Sequence, residues 1–82
     1  MRVHVSIIAR EALGGFAGSS VEVEEGVTLR HAVEACLEQA GIAVPEHLFE
    51  GIICMRNNKN ALWDQPAADG DEILVLHKIM GG

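Results

Sequence analysis

Basic residues are scarce in this chain: six lysines and arginines stand against twelve acids in 82 residues, a net charge of −6 at neutral pH. That balance argues against a nucleic-acid footprint, which needs clustered Lys and Arg, and disfavours an anionic membrane surface. An acidic domain of this size stays soluble and is steered toward basic partner surfaces. No apolar run approaches the ~18 residues needed to span a bilayer, and the first residues lack the charged, apolar and small-residue order of a signal sequence. The sequence therefore predicts a cytoplasmic protein. Cysteine is confined to Cys36 and Cys54. Neither sits in a CxxC, and each falls inside an apolar pattern where cysteine behaves as a small hydrophobe, so both are expected as buried, unpaired thiols. His4, His31, His47 and His77 are too scattered for a metal site and are expected at the surface or at edges. No Ser/His/Asp or Cys/His constellation stands above background. Gly14, Gly15 and Gly18 precede a strand and lack the Lys and Ser/Thr of a phosphate-binding loop.

What is present fits one small domain, able to bury only about 60 to 65% of its unfolded surface. Hydrophobic residues make up 49% of the chain and charged residues 22%, an ordinary globular balance. Val3 to Ala9 alternates, with Val3, Val5 and Ile7 on one face. A glycine- and serine-bearing stretch, Arg10 to Ser20, predicts a wide hairpin with a mobile tip, returning through a second strand at Val21 and Val23 that Gly26 ends. Thr28 reads as an N-cap. Leu29, Ala32, Val33, Cys36, Leu37 and Ala40 then share one helical stripe, and Gly41 followed by Pro45 stops the helix. Ile52 to Arg56 reads as a central strand, apolar on both faces. A polar turn at Asn57 to Asn60, a short strand at Ala61 to Trp63 and a turn on Asp69-Gly70 lead to a last strand, Glu72 to Lys78. The expected fold class is α+β: one mixed sheet with one helix packed across one face, and the first and last strands side by side and parallel. The predicted core is Val3, Val5, Ile7, Val21, Val23, Leu29, Val33, Cys36, Leu37, Ile52, Cys54, Ile73 and Val75. On the face without a helix, Leu74 and Leu76 with Ile53 or Met55 form an apolar patch suited to docking a partner. The competing reading is that a loop bearing Trp63 covers them.

The sequence closes on Gly81-Gly82. Two glycines maximise backbone freedom and offer nothing to pack, so their use lies outside folding: a terminus without Cβ atoms threads a narrow channel and carries its α-carboxylate to a reacting phosphate. Together with the strand order, three features resemble the ubiquitin-like β-grasp sulfur carriers of the MoaD/ThiS family. They are the Asp-Gly-Asp-Glu turn at 69 to 72, the Ile-Leu-Val-Leu strand at 73 to 76 and the Ile-Met-Gly-Gly ending at 79 to 82. Ala9-Arg10-Glu11 followed by Gly14 leans toward the small subunit of molybdopterin synthase. His77-Lys78 replaces that subunit's Pro-Pro and looks more like the thiamine-type carriers, and Ala67 stands where a leucine is usual.

The resemblance implies a β-grasp domain over residues 1–77 and a flexible tail over residues 78–82. It implies a carrier and no enzyme: no catalytic residue, no metal and no bound cofactor, with ATP used by a partner. Gly82 is then the site of adenylation and thiocarboxylate formation, with Gly81, Met80 and Ile79 recognised in the tail. The implied partners are a ubiquitin-activating-type adenylating enzyme and a sulfur-accepting synthase subunit, with neither nucleic acid nor membrane. The pathway implied first is molybdopterin synthesis, for a molybdenum or tungsten cofactor. A thiamine-type or other sulfur carrier and a ubiquitin-like protein modifier, which ends as an isopeptide on a target lysine, are the alternatives.

Overall fold

The computed structural model describes residues 1–78, the side chain of Ala12 excepted. Its elements in chain order are β1 (Arg2–Ile7), β2 (Ser20–Glu22), α1 (Leu29–Gln39), β3 (Ile52–Arg56), β4 (Lys59–Ala61) and β5 (Glu72–His77), with short 3-10 turns at Arg10–Leu13 and Leu48–Glu50. The five strands form one sheet in the order β2-β1-β5-β3-β4. Both hairpins are antiparallel, and β5 inserts between them, parallel to β1 and antiparallel to β3. The expected mixed sheet with a neighbouring first and last strand is therefore present.

Local chemistry explains each boundary of α1. Thr28 is extended, and its Oγ1 accepts from the backbone N–H of His31 at 3.1 Å, which satisfies one of the donors a helix start leaves open. At the other end Gly41 adopts φ +76°. Its N–H donates to Glu38, and the N–H of Ile42 donates to Leu37 at 2.9 Å, a Schellman closure that a residue with a Cβ makes at a cost. Leu29, Ala32, Val33, Cys36 and Leu37 are buried as the stripe requires. Ala40 is exposed, a correction to that stripe, because the helix is already unwinding at its C-cap.

The core lies between α1 and one face of the sheet. Val3, Val5 and Ile7 of β1, Val21 of β2, Ile52 and Cys54 of β3, and Ile73 and Val75 of β5 are buried there. Burial of each large aliphatic contributes about 1.5 to 3 kcal/mol before conformational entropy is set against it. Val23 is only half-buried, one residue past the end of an edge strand. Leu13, Leu48 and Ala67 are buried outside the predicted core. The first two come from the 3-10 turns, which carry no helical or strand period to betray them.

Three loops also differ from expectation. The stretch read as an open hairpin folds into a 3-10 turn and then runs back along β1, where Val5 N–H donates to Ser19 and Ile7 N–H to Ala17, both at 2.9 Å. Gly18 makes that return possible: at φ +102°, a Cβ on it would lie 2.0 Å from the Val5 carbonyl oxygen. The short strand is Lys59–Ala61 and not Ala61 to Trp63. Asn57 and Asn58 have φ of 52° and 67°, which closes β3 and β4 with a two-residue turn and pairs Arg56 directly with Lys59. Last, β5 ends at His77, and Lys78 N–H donates to Gly51 at 3.0 Å.

Candidate functional site

The expected tail residues Ile79, Met80, Gly81 and Gly82, with all of the tail beyond Lys78, lie outside the described residues. The described residues end just past the central strand, β5, which leads into that stretch. β5 is apolar on both sides: Ile73 and Val75 point into the core, while Leu74 and Leu76 lie half-buried on the other, open face.

Register sets out that second face in rows. Ser6 and Met55 flank Leu74, and Asn60 continues the row beside Met55. Nearer the tail, Ile53 is paired with Leu76, and Ile8 follows Ile7 on the other side, its N–H donating to Val75 at 2.8 Å. Leu62 comes two residues after Asn60 and keeps its alternation. Ile8, Ile53 and Leu62 are 54, 41 and 66% exposed, and they are the exposed large hydrophobics among the described residues. All three border the row next to the tail. The four residues expected to form a docking patch, Leu74, Leu76, Ile53 and Met55, are thus brought together. Ile8 and Leu62 enlarge the patch; Ile8 was legible in the alternation of β1, whereas Leu62 was hidden by the misplaced short strand. Trp63 does not cover the patch. Its Nε1 donates to Ile52 O at 3.1 Å, its ring meets Phe49 edge-on at 4.8 Å, and its carbonyl accepts from Arg30 at the start of α1.

The turn that launches β5 is built around a buried carboxylate. Asp71 is 5% exposed. Its Oδ2 lies 2.8 Å from Arg56 Nε and accepts from Ala68 N–H at 2.7 Å, while Oδ1 accepts from Asn57 Nδ2 at 3.1 Å. Asn57 also exchanges two bonds with Glu72, its N–H donating to Glu72 O and its Oδ1 accepting from Glu72 N–H, both at 2.9 Å. The β3–β4 turn and the root of β5 are therefore one polar unit. These bonds engage both carboxylate oxygens of Asp71.

Both thiols are free and buried, and burial pushes the Cys54 thiol up from its ordinary value. The four histidines are all exposed. Among the described residues no group of three or more His, Cys, Asp or Glu gathers as a metal site, and no helix is long and apolar enough to cross a membrane.

Comparison with known proteins places this geometry. A family model described as the ThiS family matches residues 3–82. Among solved structures, SAMP1 from Haloferax volcanii is similar over 100% of both chains, at 21% identity and a TM-score of 0.64. Molybdopterin converting factor subunit 1 from Pyrococcus furiosus is similar over 96% of this chain and 99% of that one, at 22% identity and a TM-score of 0.68. A chain of the BexX/CysO complex from Amycolatopsis orientalis is similar at 26% identity and a TM-score of 0.56, over 98% of this chain and 99% of that one. A search of the curated proteins finds no match. The sheet order and single helix are those of the ubiquitin-like β-grasp.

Proposed function

Since this chain belongs to the ThiS family of ubiquitin-like sulfur carriers, we propose that it carries sulfur as a C-terminal thiocarboxylate on Gly82. The observation that supports this most is the span of the family match, which runs through the last strand to Gly81-Gly82. A carboxylate is a poor electrophile. In the proposed cycle the Gly82 carboxylate oxygen attacks the α-phosphorus of ATP within a partner adenylating enzyme, and pyrophosphate leaves. The terminal sulfur of a persulfide then attacks the acyl carbon, and AMP leaves. Cleavage of the resulting disulfide by a thiol releases the thiocarboxylate. The carrier contributes no catalytic side chain to this sequence. It contributes a terminus narrow enough to reach the reacting phosphate and a surface that docks the enzyme supplying the chemistry.

Ile53, Met55, Leu74 and Leu76 form that surface, beside the point where the tail departs, so docking and tail insertion are coupled by position. From Lys78, five residues span at most about 16 to 18 Å, enough to cross from the docked face into an active site. The pathway we propose is molybdopterin synthesis, with a synthase large subunit as sulfur acceptor. The test is transfer of labelled sulfur. Thiocarboxylated carrier, mixed with a molybdopterin synthase large subunit and its sulfur-free pterin precursor, should pass the label to the pterin. Label that stays on the carrier would assign the sulfur to another pathway.

A further inference from the structure

The open face of the sheet has a second half that the apolar patch does not use. Farther from the tail, His4, Ser6, Asn58, Glu72, Ile73 and Leu74 line a hollow of about 210 Å³. Leu74 is shared with the docking patch, so the hollow and the patch are one continuous surface. Ser6 is the register partner of Leu74, and His4 that of Glu72. His4 Nδ1 is 2.5 Å from Ser20 Oγ, which fixes the imidazole toward β2. The backbone of Glu72 is held by Asn57, but its side chain is exposed and has no ion pair among the described residues. A carboxylate with a fixed root thus stands at a hollow that also presents a hydroxyl and an amide. Of the nearby cations, Arg56, in register with Ile73, is already paired to Asp71 at 2.8 Å, and Arg2 is paired to Glu22 at 2.9 Å.

We propose that this hollow receives one cationic side chain, an arginine or lysine, from the adenylating enzyme that docks on the apolar row, and so fixes the orientation in which the tail is presented. The inference rests on the sulfur-carrier reading. Charge complementarity identifies the occupant: the chain is acidic overall, and Glu72 is the charged group lining the hollow. Arginine suits the site better than lysine, because a planar guanidinium can span a carboxylate and a neighbouring hydroxyl or amide oxygen at once. An apolar row alone permits sliding and rotation. One charged contact about two rows away removes both freedoms, which matters when a tail must reach a reacting phosphate to within about 1 Å.

The test measures binding of the full chain to the adenylating enzyme of the same host by titration calorimetry. Glu72→Gln should weaken binding about tenfold and flatten its salt dependence. Ser6→Arg, which places a cation in the hollow from within, should weaken it by at least as much. Glu38→Gln, which removes the same charge from the outer face of α1, should stay within about twofold of wild type. One arginine or lysine of the enzyme should lose its contribution in the Glu72→Gln background, as a double-mutant cycle reads it. Equal effects of Glu72→Gln and Glu38→Gln would reduce the contact to net charge and overturn the proposal. So would Glu72→Gln within twofold of wild type, and in that case normal adenylation of wild type would leave the carrier reading standing. If wild type is neither bound nor adenylated, both fail.

Discussion

Replacing Asp71 by alanine tests whether the root of β5 is held by one buried carboxylate. The substitution removes the partner of Arg56 and the acceptor for both Ala68 N–H and Asn57 Nδ2. Breaking a buried ion pair from one side costs about 3 to 5 kcal/mol, because the remaining charge stays desolvated. Arg56 is itself about one quarter exposed, its side chain retaining 28% of its accessibility, so water recovers part of that penalty and the lower end applies. A domain of this size has only about 4 to 12 kcal/mol of stability in total. Asp71→Ala should therefore lower stability by about 3 kcal/mol, read as a fall in urea midpoint by circular dichroism and a melting point lower by about 12 °C or more. Asp71→Asn keeps the shape and one carbonyl acceptor for Ala68 and should cost about half as much. The cycle with Arg56→Met separates the pair from the backbone bond: with the cation gone, removal of the carboxylate should cost distinctly less. A loss below about 1 kcal/mol for Asp71→Ala would refute the view that this turn depends on its buried charge.

Other consequences follow from the core, the loop return and the thiol. Leu37→Ala, at a side chain with no exposure, should cost about 2 to 5 kcal/mol by denaturant titration, and an unchanged melting temperature would overturn the helix register. Gly18→Ala combines a left-handed φ with a Cβ driven into the Val5 carbonyl; it should destabilise by more than the ~1 kcal/mol of an ordinary glycine change, where Gly26→Ala, with open space around it, should cost distinctly less. Cys54, its thiol pushed up by burial, gives a pH dependence of known sign. The folded state holds the neutral thiol, so its contribution is fully present below the ordinary value of 9.0 and is lost as pH rises through the higher folded value. Stability should thus fall above about pH 9, and Cys54→Ala should flatten that part of the profile. A wild-type profile identical to that of the variant would contradict the assignment.

Most of the fold was legible because its periods are clean. The α1 stripe, the Thr28 cap, the alternation of β1 and the double-sided apolar pattern of β5 each follow from local residue order, and together they leave little choice of topology. The short strand lies earlier than its residues suggest, because Asn57 to Asn60 looks like a four-residue turn although two consecutive residues at positive φ, Asn57 and Asn58, suffice for the tightest hairpin. Leu13 and Leu48 were missed because a 3-10 turn of three or four residues has no repeat. The network around Asp71 was invisible for another reason: Asp69-Gly70-Asp71-Glu72 announces a turn, but which carboxylate goes inside depends on Arg56 and Asn57 arriving from another hairpin. The apolar patch was readable from the leucines of β5, and Ile8 from the alternation of β1, while its extension to Leu62 required the register.

The central claim, that Gly82 carries the sulfur, is tested most directly by intact mass. Wild-type protein incubated with ATP, a sulfur donor and the adenylating enzyme of its host should gain the increment of one sulfur replacing one oxygen, located by fragmentation at the C-terminal residue. A variant lacking Gly82 withdraws the carboxylate by about 3.3 to 3.6 Å; it should keep its melting temperature and gain nothing. Modification of that variant as efficient as that of wild type, or an increment located anywhere but the terminal carboxylate, would contradict the account.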